Sequence, residues 1–150
     1  MTLKKIVENL YVGDMESAIR ACLGKLVDWI VYIGQELPRE LSHNPQVPII
    51  HIPIVDGADN IDKWQAAVVM ISYCHIGDEN GKKAKTLVAC RAGISRSPMM
   101  VVYHLLKCPF LMNPNWNHCS FETAYNFVKE RVPEMQPEQN IYNMIKEKFS

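Results

Sequence analysis

Residues 86–106, TLVACRAGISRSPMMVVYHLL, constrain this chain more than any other stretch. Thr86–Ala89 reads as a short buried strand. Residues 97–106 read as an amphipathic helix, with Pro98 in its first turn, where the missing amide proton costs nothing. Between them lies CRAGISR, a small-residue loop that begins with a thiol and ends with a guanidinium. A plain strand-to-helix connection needs neither group.

In open α/β folds, ligands bind beyond the carboxyl ends of strands, which is where this loop would stand. The loop enters a helix N-terminus, whose free amides and dipole favour an anion. Gly93 permits the positive φ that a curl of amides around one point often needs. Arg96 adds a planar fork that can hold two phosphate oxygens. The same positive field favours the nucleophilic thiolate of Cys90. Arg91, Ala92, Gly93, Ile94, Ser95 and Arg96 are therefore the expected phosphate cradle, with Cys90 beneath it.

The rest of the chain places this loop in an alternating fold. Residues 10–14, LYVGD, read as an edge strand and turn, and Asp14 can cap a short helix that Gly24 ends. Residues 27–34 and 49–54 are apolar β-rich runs, separated by the polar, proline-bearing loop ELPRELSHNPQVP. Ile61–Ile76 carries helical periodicity through Trp64, Ala67, Val68 and Ile71. A polar connector then leads to the strand before Cys90. Residues 107–119 look irregular. Ser120 is the expected N-cap of a helix through Arg131, and a last helix starts near Pro137 and runs to about Lys148. Strands alternating with helices imply one α/β domain over residues 1–150, with a mainly parallel central sheet flanked by helices.

Composition narrows the partners. With 150 residues, 48% of them hydrophobic and 21% charged, the chain suits one globular core. Lys plus Arg matches Asp plus Glu at 16 each, so overall charge advertises neither nucleic acid nor membrane, and any positive site must be local. No apolar run approaches a bilayer span and no secretory signal is visible. The five cysteines show no CxxC spacing, which argues against a disulfide framework or structural zinc and for a reducing, cytoplasmic setting. His51 and His75 have no partners that suggest a metal site. Trp64, Tyr103, Phe121 and Phe127 sit at core spacing.

C90-RAGIS-R96 followed by Ser97 resembles the signature of the cysteine-dependent protein tyrosine phosphatases, and CRAGISRS in so short a chain is most similar to the dual-specificity phosphatase branch. LYVGDMESA, IIHIPIVD and SFETAYNFVKERVPEMQPEQN resemble that family's opening strand, the strand leading to its acid loop, and its penultimate helix and turn. The resemblance implies that Cys90 attacks phosphorus to form a phosphocysteine, while Arg96 and the loop amides hold the equatorial oxygens. It implies that Asp56 is the general acid, with Asp59 the fallback in the same loop, and that Ser97 donates a hydrogen bond to the sulfur. Arg91 is expected to be a solvent-facing charge that biases substrate choice, and Ser95 to shape the loop through its own hydrogen bonds. No metal or cofactor is required. The implied substrate is a protein phosphorylated on tyrosine and also on serine or threonine. The alternatives are a weakly active phosphoprotein-binding module of the same fold, or a phosphatase for phosphoinositides or RNA 5′-phosphates.

One departure stands out. The family normally has His before the nucleophile, and here the residue is Ala89. Its absence implies a less organised loop or a compensating group elsewhere, with reduced but real activity.

Overall fold

Alternation of β-rich runs with helices predicts a parallel sheet, and the computed structural model, which describes residues 3–57, 60–77 and 83–150, has one. Its strands are β1 (Lys4–Val7), β2 (Leu10–Gly13), β3 (Trp29–Tyr32), β4 (Ile49–His51) and β5 (Thr86–Ala89), in the order β1-β2-β5-β3-β4. β5 pairs in parallel with β2 on one side and β3 on the other, and β3 pairs in parallel with β4. The strand that delivers Cys90 is thus the middle one. All four of its residues are buried, as a continuous apolar run between two neighbours requires.

The antiparallel β1 corrects the expectation that residues 10–14 form an edge. β2 lies inside the sheet because β1 folds back on it through a tight turn with Asn9 at φ 64°. Lys4 and Lys5 masked this strand in the sequence, and charged residues there suit an exposed edge. β4 is shorter than the apolar run 49–54 suggested. Pro53 has no amide proton to continue the ladder, although the Ile52 and Ile54 amides still donate to Tyr32 and Ile33 carbonyls.

Helices cover both faces. α1 (Met15–Leu23) starts at Asp14, whose carboxylate accepts from the Ser17 amide, and ends at Gly24. It packs Ala18, Ala21 and Cys22 against Leu87 and Ala89 of β5 and Leu41 of α2 (Arg39–Ser42), a turn of helix within the segment expected to be loop. The opposite face carries α3 (Ile61–Ile76), α4 (Arg96–Lys107), α5 (Phe121–Arg131) and α6 (Gln139–Lys148). α4 is buried from Arg96 to Leu106, so it is a core helix rather than a surface one. Trp64, Tyr103 and Phe121 are buried as expected, whereas Phe127 lies at the margin with the Arg131 guanidinium 3.5 Å over its ring. Lys107 closes α4, and residues 108–119 are irregular apart from one 3-10 turn, Pro109–Leu111. Ser120 caps α5 by accepting from the Thr123 amide, and Glu138 caps α6 through the Asn140 and Ile141 amides. Among the described residues, no helix is long and apolar enough to cross a membrane.

Candidate active site

β5 ends at Ala89, and the chain then curls over its own exit before α4 begins at Arg96. Gly93 takes φ 73°, the left-handed conformation that the curl demands. Two backbone amides converge on the buried Cys90 sulfur, Gly93 at 3.3 Å and Ser97 at 3.4 Å, and the thiol itself donates to Ser97 Oγ at 3.2 Å. Ser97 Oγ also lies 3.5 Å from the Gly13 carbonyl, at the end of β2. Donors aimed at one sulfur stabilise negative charge on it.

Arg96 is 8% exposed, and its Nη1 donates to the Ile54 carbonyl at 2.8 Å. Its Nε is buried without a partner. One arm of the guanidinium is therefore fixed to the strand exit, and the other presents an unspent donor. A buried donor with no acceptor costs about 1–3 kcal/mol, which an anion in the cradle would recover.

The fold brings Asp56 to the same place. Ser95 Oγ donates to Asp56 Oδ1 at 2.7 Å and accepts from the Glu138 amide at 3.0 Å, tying the segment after β4 to the segment before α6. The Gln136 amide donates to the Ile94 carbonyl at 2.6 Å, a second stitch from the same segment, and the Met15 amide donates to the Arg91 carbonyl at 3.2 Å. Asp56, Cys90, Ala92, Ile94, Ser95, Arg96, Gln136 and Glu138 line a cavity of about 290 Å³. Asp59 lies outside the described residues.

On the far side of Arg96 opens a wider cleft of about 660 Å³, lined by Met15, Tyr32, residues 35–38, Arg39, Arg91 and Arg96. Arg39 and Tyr32 were not singled out in the sequence, because one sits in an apparent loop and the other in an apparent core strand. Tyr32 stands opposite Ala89 in the β3–β5 register, so the position where the family has histidine neighbours a buried phenol. Burial raises the Tyr32 hydroxyl above its usual range. Negative charge on Cys90 adds to that rise, and Arg96 and Arg91 oppose it. Gly34 makes room for the ring, since a Cβ there would lie 2.7 Å from Tyr32 Cε1. His51 Nε2 holds the Gly34 carbonyl at 2.8 Å, which accounts for that histidine without a metal. Among the described residues, no group of three His, Cys, Asp or Glu side chains is placed to hold a metal ion.

Comparison with known proteins agrees with this geometry. Residues 10–150 match the family model "Dual specificity phosphatase, catalytic domain". A relative from Invertebrate iridescent virus 6 that carries a tyrosine phosphatase name, 123R, is 30% identical over 127 residues, covering 85% of this chain and 78% of its own. Dual specificity protein phosphatase 7 of Homo sapiens is 28% identical over 144 residues, 94% of this chain but 32% of the human protein, so the chain spans about a third of that relative. The fold is similar to that of human DUSP28, with TM-score 0.76 and 17% identity over 98% of this chain and 92% of that one. It is equally similar to a human tyrosine phosphatase-like serine/threonine/tyrosine-interacting protein, with TM-score 0.75 and 19% identity over 98% and 95% of the two chains.

Proposed function

We propose a residue-by-residue mechanism for this chain, which belongs to the dual specificity phosphatase family and is a cysteine-dependent protein phosphatase. Cys90 attacks phosphorus in line with the ester oxygen, so that a sulfur–phosphorus bond forms as the phosphorus–oxygen bond breaks. The amides of the 91–96 loop and the free Nε of Arg96 hold the equatorial oxygens, where charge gathers in the transition state. Asp56 delivers the proton to the leaving oxygen. Ser95 already donates to its Oδ1, so Oδ2 is the oxygen that carries that proton. In the second step, Asp56 takes a proton from water, the water oxygen attacks phosphorus, and the thiolate leaves beside Ser97, whose hydroxyl accepts from the resting thiol and turns to donate to the departing thiolate. Inorganic phosphate is released.

The observation that carries this reading is the convergence of the Gly93 and Ser97 amides on one buried sulfur, with Ser97 Oγ in contact with it, beside an unspent guanidinium donor. The two amides do part of the work expected of a histidine at position 89. Phosphorylated proteins are the substrates. A cavity of about 290 Å³ lined by Ala92, Ile94 and Ser95 supports acceptance of phosphoserine and phosphothreonine beside phosphotyrosine. Five unpaired thiols favour a reducing compartment.

Rapid-quench kinetics with an aryl phosphate test the mechanism. The expected result is a burst of released phenol matching the enzyme concentration, lost in Cys90→Ser. Turnover that persists in Cys90→Ser would remove the covalent step. Tight binding of a phosphopeptide with no turnover at all would leave a phosphoprotein-binding module.

A further inference from the structure

We propose that Tyr32 stands in for the histidine missing at position 89, as a positioning residue reaching the Cys90 loop from the neighbouring strand. Its ring props the start of the loop, and its hydroxyl faces the loop as a neutral donor. This rests on the phosphatase reading and adds a residue to its machinery. β3 and β5 run parallel with Tyr32 level with Ala89, so the two side chains leave the sheet on the same face and join one packed cluster. Ala89 is fully buried and contributes only a methyl group there, so the bulk of the pair is the Tyr32 ring. That ring is fixed from two sides. A Cβ at Gly34 would lie 2.7 Å from its Cε1 and 2.8 Å from its hydroxyl, so the ring lies along the backbone toward the carboxyl end of β3. His51 of β4 stands 6.0 Å away between ring centroids, at 47°, and its Nε2 holds the Gly34 carbonyl at 2.8 Å. Between Tyr32 and Gly34, the Ile33 amide donates to the Ala89 carbonyl at 2.8 Å. The hydroxyl therefore lies past the end of β5, where the chain turns into the loop, and it shares a wall with Arg91 and Arg96.

Packing alone would be served by phenylalanine. A phenol this buried ordinarily finds a hydrogen-bond partner, and among the described residues this one has none. The charged and titratable groups around it are Cys90, Arg91 and Arg96 of the loop, Glu36 and Arg39 about α2, and His51 of β4. Burial is the main reason the hydroxyl keeps its proton; negative charge on Cys90 adds to this, and Arg96 and Arg91 oppose it. A protonated phenol offers a donor to the anionic site without bringing a charge that would itself have to be buried. The sulfur's own partners are Gly93 and Ser97, so Tyr32 acts on it through the placement of the loop and the field over it, not by contact.

The test is the pH profile of kcat/KM on an aryl phosphate in the wild type, Tyr32→Phe, Tyr32→Leu, and Tyr32→Leu combined with Ala89→His. Tyr32→Phe keeps the ring and removes only the donor. Its thermal unfolding should match the wild type, while the acid limb moves up by about half a unit to one unit, so that the rate below the limb falls roughly threefold to tenfold and the plateau changes less. Tyr32→Leu also removes the ring and leaves room for an imidazole. Its deficit should be larger, and Ala89→His should restore the acid limb in that background while adding nothing to the wild type, the signature of two side chains sharing one task. An acid limb unmoved in Tyr32→Phe, including a profile lowered evenly at every pH, overturns the proposal, as does a Tyr32→Leu deficit that Ala89→His leaves in place. If Tyr32→Leu does not fold, Tyr32→Phe decides alone. If no variant and not even the wild type hydrolyses the aryl phosphate, the catalytic reading has failed on its own. Iodoacetate alkylation at Cys90, followed by mass spectrometry in the wild type and Tyr32→Phe, then decides the role of Tyr32: slower alkylation in the variant sustains it, and equal rates sink it.

Discussion

Lowering the pH should destabilise this protein through a histidine on α4. His104 is fully buried on that helix, and burial together with the neighbouring His75 pushes it down from 6.5 to about 3. The hydrogen bonds explain why it stays neutral. The Glu8 carbonyl only accepts, so His75 Nε2 must donate to it at 2.8 Å; His75 Nδ1 then accepts from His104 Nε2 at 3.2 Å, and His104 Nδ1 accepts from the Ser72 hydroxyl at 3.3 Å. A proton added to either ring turns an acceptor into a donor and breaks this chain. The folded-state value is depressed, so the stability is fully present above 6.5 and is lost as the pH falls toward 3. Within that window only the unfolded chain takes up the proton, and each pH unit costs about 1.4 kcal/mol. Descent to about pH 5 therefore removes roughly 2 kcal/mol, a large part of a typical domain's 5–15 kcal/mol. His75, itself lowered by burial, loses stability in the same direction. Urea unfolding at about pH 7.5 and about pH 5, in wild type and His104→Gln, measures the effect. The variant is expected to be weaker at both, but its loss between them should be smaller by about 2 kcal/mol. Equal losses in the two proteins would refute the reasoning.

Two other substitutions probe the site. Ser95→Ala removes the donor on Asp56 and strands the Glu138 amide; one to two hydrogen bonds at about 1–3 kcal/mol imply roughly a tenfold or greater fall in kcat/KM on a phosphoserine peptide. The fall should be smaller on an aryl phosphate, whose leaving group needs less help from the acid, and an equal fall on both would argue that Asp56 is not the acid. Ala89→His returns the family's residue to a fully buried position beside Tyr32, where overpacking costs about 1–3 kcal/mol. Thermal unfolding should move down by several degrees without a gain in turnover; a more active, equally stable variant would show that the site lacks its histidine rather than having replaced it.

The loop from Cys90 to Arg96 was legible because its residues are neighbours in sequence. Cys90, Gly93, Arg96 and Ser97 lie within eight consecutive positions, and β5 and α4 flank them as their periodicity implied. What stayed hidden came from segments far apart in sequence. Arg39 joins Arg91 only because α2 forms where proline-rich composition reads as loop. Tyr32 meets Ala89 only through the β3–β5 register, which a single strand's pattern does not specify. β1 was lost because two lysines in four residues disguise an edge strand. Ser95 is expected to shape the loop through its own hydrogen bonds, and the sequence does not show that these bonds reach Asp56 and Glu138, 39 and 43 residues away.

The contacts from the stretch before α6 also make the shape of the Cys90 loop depend on a distant part of the chain. Ile94 and Ser95 receive their supports from the amides of Gln136 and Glu138, more than forty residues downstream. During synthesis the cysteine and arginine leave the ribosome long before those amides exist. A chain cut before position 136 would lack both supports, and is expected to turn over an aryl phosphate more slowly than the full chain.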